Sequence, residues 1–214
     1  MTEALLGGIV DSADKGRIRQ DNEAIIIPAA ERVFARYGFR GTTMQQIADA
    51  AALPKANLHY YFGNKQNLYL RVLERILEDW LAPLEAISAD ADPKAALEAY
   101  VLKKVHFSFT RPEASRLFAN EILQGAQVVN PLLKTTLRSL VEEKAAIIDG
   151  WIAAGKLRPL DTPHFFFSVW SITQSYADFD IQIAAVIDDS QSAAAQARAT
   201  RHVLSCVWRI CGLE

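Results

Sequence analysis

Cysteine is scarce in these 214 residues: there are two, Cys206 and Cys211, five positions apart near the C-terminus. With no disulfide framework in view, they read as reduced thiols of a cytoplasmic protein. Long hydrophobic runs are missing as well. The longest, Ala24 to Ala30, has seven residues and contains Pro28, against the ~20 that a membrane span needs. Residues 1–10 carry no positive stretch, which argues against a secretory signal. An excess of charge of either sign is absent too. The net charge is −2 with 22% charged and 50% hydrophobic residues, which excludes a polybasic nucleic-acid binder and an acidic disordered tail.

Enzyme signatures are equally thin. The sequence has no G-x-G-x-x-G, Walker loop, G-x-S-x-G, H-E-x-x-H or C-x-x-C. Its histidines, His59, His106, His164 and His202, are dispersed, and no two are four apart as a helical metal pair would be. Nothing calls for a metal or a cofactor, although catalytic groups can converge from distant positions.

What is present is helical periodicity. Leu73, Ile76, Leu77, Trp80, Leu84 and Ile87 recur at steps of three and four in the segment 64–87, with Asn64 as its N-cap. Leu97, Val101, Lys104, Val105 and Ser108 do the same in 94–110. Segments 113–124, 131–154, 163–186 and 191–212 are helical, separated by Gly125, Asn130-Pro131, Gly155, Pro159, Pro163 and a polar stretch from Asp188 to Ser192. Few β-branched alternating runs occur. The reading is an all-α protein of about nine helices. It comprises a mobile arm (1–20), a helix-turn-helix domain (21–66) and an effector-binding and dimerisation domain (67–214).

The helix-turn-helix is read from shorter pieces. One helix ends at Tyr37-Gly38, where glycine suits a left-handed cap. Thr42 or Thr43 caps a short helix through Ala50, and after a break at Ala52 to Pro54 a second runs from about Lys55 to Tyr61. Between Glu31 and Lys65 stand five basic residues, Arg32, Arg36, Arg40, Lys55 and Lys65, against Glu31 and Asp49. Phosphate contacts need such a patch. A solvated helix face with a chance imbalance would look the same.

The residues from Ala29-Ala30-Glu31-Arg32-Val33-Phe34 through Thr42-Thr43-Met44-Gln45-Gln46-Ile47-Ala48, then Leu53-Pro54-Lys55-Ala56-Asn57-Leu58-His59-Tyr60-Tyr61-Phe62-Gly63-Asn64-Lys65, resemble the DNA-binding domain of the TetR family over about forty residues. The resemblance implies an all-α homodimer that reads a palindromic double-stranded operator and carries a ligand pocket in its C-terminal domain. Thr43 and Lys65 are then candidates for phosphate, as is Tyr60 or Tyr61, while Lys55, Ala56, Asn57 and His59 front the recognition helix. Phe34, Ile47, Ala48, Leu58 and Phe62 supply the packing. Two positions depart from the family pattern: Ala52 replaces the turn glycine, and Pro54 replaces a Ser or Thr cap. Pro28 implies a kink, or a helix start near Ile27.

Further along, Ile76-Leu77-Glu78-Asp79-Trp80, Ala114-Ser115-Arg116-Leu117-Phe118, Glu142-Glu143-Lys144-Ala145-Ala146 with Gly150-Trp151 after it, and Trp170-Ser171-Ile172-Thr173-Gln174 with Asp178-Phe179 resemble the RutR-type pyrimidine-utilisation repressors. Trp170 and Gln174, four apart, share a helix face. A pyrimidine imide could pair with the Gln174 amide, with Trp80 as a flat wall. Tyr100, Lys103, Phe118 and Glu121 are second-rank contacts. Alternatives are a different small-molecule effector, an all-α enzyme, and a structural DNA-binding protein, which would have no enclosed cavity.

Overall fold

The apolar periodicity becomes helix throughout. The computed structural model describes the backbone of residues 3–213 and the side chains of residues 19–213. Among them there is no strand. The order is α1 (Glu3–Gly41), α2 (Met44–Ala51), α3 (Lys55–Phe62), α4 (Lys65–Leu81), a 3₁₀ segment (Ala82–Ala86), α5 (Pro93–Thr110) and α6 (Pro112–Leu123). A single turn, α7 (Asn130–Leu132), passes into a π-helical turn (Leu133–Leu137) and then α8 (Arg138–Ala153), α9 (Thr162–Asp178), α10 (Asp180–Val186) and α11 (Ala193–Cys211). Ten of these helices are longer than one turn, close to the expected nine. The extra one, α10, comes from a break at Phe179, inside a segment that the sequence pattern joined. The arm expected over residues 1–20 falls mostly on residues whose side chains lie outside the described ones; the α1 backbone is helical from Glu3. Pro28 lies within α1, and the non-helical residue there is Gly38, at φ 67° and ψ 173°.

The chain forms two compact units, Met1–Leu73 and Glu74–Glu214, divided within α4. In the first, α1 packs on α2 and α3. Phe34, Ile47, Ala48, Leu58 and Leu68 are wholly buried, and Phe62 nearly so. Each large side chain among them contributes roughly 1.5–3 kcal/mol. The first turns of α4 belong to this core because Tyr69 sets its ring 4.8 Å from Phe34 and 4.9 Å from Phe39.

In the second unit α5 lies along α9, which also receives α6, α8 and α11. Two hydrogen bonds tie α5 to α9: Ser108 Oγ donates to the Thr173 carbonyl (2.7 Å), and Trp170 Nε1 donates to the Tyr100 hydroxyl (2.7 Å). The helix starts follow local chemistry. Asp92, Asp161 and Ser192 each accept the backbone N–H three residues on, and Pro93, Pro112 and Pro163 occupy first-turn positions that need no N–H.

The turn between α2 and α3 holds the one left-handed non-glycine residue among the described residues of the first unit. Thr43 caps α2 reciprocally with Gln46, whose side chain accepts from the Thr43 N–H at 2.7 Å. At the other end Ala52 adopts φ 53° and ψ 38°, a left-handed cap with the Leu53 N–H bonded back to the Ala48 carbonyl. A Cβ in that region costs roughly 1 kcal/mol. Ala52→Gly is therefore expected to raise stability by about 0.5–1 kcal/mol, and Ala52→Val to lower it, in urea unfolding. A lower midpoint for the glycine variant would contradict this.

Candidate functional site

Helix α3 presents the residues that the sequence assigns to DNA. Leu58 and Phe62 turn inward, which leaves Lys55, Ala56, His59 and Tyr60 exposed and Asn57 partly so. Pro54 precedes the helix and makes no side-chain cap. The Asn57 amide and the Lys55 ammonium have no partner among the described residues, so both are available to base edges or phosphates. His59 uses Nδ1 on the Gly63 carbonyl at 3.0 Å, which leaves Nε2 outward. The two adjacent tyrosines differ in their surroundings. The Tyr61 hydroxyl accepts from Asn22 Nδ2 (3.0 Å), and Tyr60 is 82% exposed.

Two expected phosphate contacts have other work. Lys65 Nζ donates to the carbonyls of Phe39 and Thr42, at 2.8 Å each, and sits 4.6 Å from the Phe39 ring centre. Two of its three donors thus close the end of α1 onto the start of α4. The Thr43 hydroxyl is engaged with Gln46 in the cap. The Thr43 cap is local and readable in sequence, whereas the role of Lys65 is not, because the carbonyls that hold it lie more than twenty residues away in the chain.

The second unit contains a cavity of about 610 Å³, within the range of small-molecule sites. Its walls are apolar: Trp80 from α4, Phe118 from α6, Leu133 and Leu137 from the π-helical turn, Phe167 and Trp170 from α9. The rings of Trp80 and Phe118 stand 5.0 Å apart, and those of Phe167 and Trp170 5.5 Å. Gln174 also lines it, and its amide has no hydrogen-bond partner among the described residues. The constellation of Trp80, Trp170, Gln174 and Phe118 is thus brought to one cavity.

Three second-rank residues are not in its wall. Tyr100 is fully buried behind Trp170 and holds the indole through its hydroxyl; burial pushes the phenol's pKa up. Glu121 accepts from the backbone N–H of Val128 at 2.7 Å and orders the loop after α6. Lys103 is exposed, whereas Lys104 is 4% exposed and lines the cavity. One residue is a rotation of about 100° on a helix. The row Val101, Lys104, Val105, Ser108 was the signal for the inward lysine.

Lys104 belongs to a polar end that motif reading missed. Its Nζ lies 4.9 Å from the Trp80 ring centre. Burial pushes the ammonium down to about 8, opposed by the charge of Asp178. The Asp178 carboxyl is itself raised by burial, against a hydrogen bond from Ser115 (2.6 Å) and the nearby charges of Arg116 and Lys104. Arg116 bonds Asp180 at 2.8 Å and the Ala177 carbonyl at 3.1 Å.

Comparison with known proteins agrees with this arrangement. Residues 26–72 match the bacterial regulatory proteins of the tetR family, and residues 73–214 match the C-terminal region of YcdC-like proteins. The chain is 43% identical over 180 residues to the HTH-type transcriptional regulator RutR of Escherichia coli O157:H7, spanning 84% of this chain and 85% of that protein. It is 31% identical over 136 residues to the HTH-type transcriptional repressor NicS of Pseudomonas putida, 63% of each chain. The fold is shared with the transcriptional regulator FadR of Bacillus subtilis, solved with stearoyl-CoA, at a TM-score of 0.66 and 19% identity over 89% of this chain and 99% of that one. A three-helix DNA-reading unit, a cavity-bearing helical unit and these matches place the chain in the TetR family of bacterial transcriptional regulators.

Proposed function

We propose that this chain is a ligand-responsive repressor that binds a palindromic operator as a homodimer and leaves it when a small pyrimidine base, uracil or thymine, enters the cavity. The observation that carries the reading is the unpartnered Gln174 amide in an aromatic-walled cavity. Gln174 is half-buried, and a ligand that closed over its amide without pairing it would leave a cost of roughly 1–3 kcal/mol. A pyrimidine imide offers the complement: its N–H donates to the amide oxygen and its carbonyl accepts from the amide nitrogen. Trp80 and Trp170 supply surfaces for a flat ring. The similarity to RutR supports a regulator of the same type. A protein that only organised DNA would have no use for such a cavity.

One chain carries one α3, so specific binding calls for a two-fold pair and two half-sites. On α9 and α11, the last two long helices, Phe165, Phe166, Val169, Val203 and Val207 are buried within the subunit. Ile172 and Ile210 remain half-buried. The proposed pairing uses the outer faces of α9 and α11. For the switch, α4 is one uninterrupted helix from Lys65 to Leu81 and carries Trp80. A ligand held at Trp80 releases DNA only if it prefers the form that does not fit the operator.

Asn57→Ala is expected to weaken operator binding by about 1–3 kcal/mol and to relax preference at one base position, read by competition binding with single-base operator variants. Unchanged affinity and preference would remove α3 from the groove. Gln174→Leu is expected to retain DNA binding while uracil no longer lowers operator affinity; a normal uracil response in that variant would refute the imide pairing. Light scattering at micromolar concentration is expected to give a dimer mass.

A further inference from the structure

We infer that Lys104 sets the charge of the ligand: the cavity takes its pyrimidine as the ionised imide, with an anionic oxygen set against the Lys104 ammonium. The ring itself rests on the pyrimidine reading above; the charge rests on other residues. Lys104 lies within α5, almost wholly buried, and makes no hydrogen bond among the described residues. An ammonium has three donors, and these open onto the cavity with no protein acceptor, an arrangement that burial makes costly. The Trp80 face, 4.9 Å from Nζ, compensates in one direction only.

The other lining elements offer no acceptor bonded to it. The π-helical turn contributes leucines, and α4 contributes Leu77, Trp80 and Leu81. The α9 carboxylate, Asp178, acts on Lys104 through space and accepts from Ser115 instead. The α6 cation, Arg116, is bonded to Asp180 and to the Ala177 carbonyl. Arg116 and Asp180 offset one another, and Asp178, held by Ser115, acts on Lys104 through space without bonding it, so the ammonium keeps its donors for a ligand. A neutral pyrimidine would give Lys104 a single charge-assisted hydrogen bond. An anion gives that bond and neutralises a desolvated charge in a low-dielectric site. The Gln174 amide serves either form, because turning it presents its NH₂ to the deprotonated ring nitrogen in place of its oxygen.

Calorimetry with thymine, uracil, 5-fluorouracil and 5-nitrouracil, in order of increasing imide acidity, tests this on the wild-type protein and on Lys104→Met at neutral pH. The wild type is expected to bind 5-nitrouracil at least about tenfold more tightly than uracil, and the variant to lose that gain. A flat or falling series in the wild type overturns the inference, as does an equal rise in the variant. Absence of heat from all four with the wild type overturns the pyrimidine reading itself, whereas a flat series with measurable heat overturns the charge assignment alone. Should Lys104→Met not fold, the wild-type pH profile decides. Affinity for 5-fluorouracil is expected to climb as its imide ionises and to fall above about pH 8, where Lys104 loses its proton. Affinity that does not climb as the imide ionises overturns the inference.

Discussion

The seating of α9 against α5 is the constraint on which the second unit rests. Ser108 to the Thr173 carbonyl and Trp170 to the Tyr100 hydroxyl fix the rotation of α9 about its axis. Phe166, Val169, Thr173 and Ala177 then form its buried face. Once that rotation is set, Phe167, Trp170, Gln174 and Asp178, at successive steps of three, four and four, must line the cavity in one row. Aromatic walls, an amide and a carboxylate are thus presented from a single rigid element, which places functional groups more accurately than a loop does.

The polar end of that row is kept at electrostatic cost. Lys104 and Asp178 are both desolvated, with their pKa values moved in opposite directions by the same burial. A cavity that needed only apolar contact would be more stable with neutral residues there. Strongly perturbed groups that converge in a cleft mark a functional site by a physical criterion. Tyr100 and Glu121 show the converse case. Both are buried and polar, yet their bonds are satisfied by an indole and by backbone N–H groups. They hold the architecture of the site and do not line it.

In the first unit the same contrast separates two lysines of similar promise. Lys65 is fixed by two main-chain carbonyls and an aromatic face, and it closes the three-helix module. Lys55 stays exposed on α3. The break between α2 and α3 survives the loss of its glycine because Ala52 can still reach the left-handed region at a tolerable cost. Pro54 leaves the start of α3 without a side-chain cap, so any oxygen that meets those N–H groups comes from outside the helix.

The sequence by itself determined the all-α class, the α2–turn–α3 boundaries to within a residue or two, and the face on which Trp170 and Gln174 lie together. Those features depend on local chemistry: the Thr43 cap, the helix-breaking Pro54, and a 3.6-residue period that needs no partner to be read. It also held the inward register of Lys104, through its spacing from Val101 and Ser108. Tertiary structure alone decided that Lys65 is a brace, that Tyr100 and Glu121 support the cavity from outside, and that Lys104, Asp178 and Arg116 meet at one end of it. These outcomes turn on which groups a fold brings within about 3 Å of one another across long stretches of chain, because a hydrogen bond or a desolvated charge is a property of a pair and its surroundings.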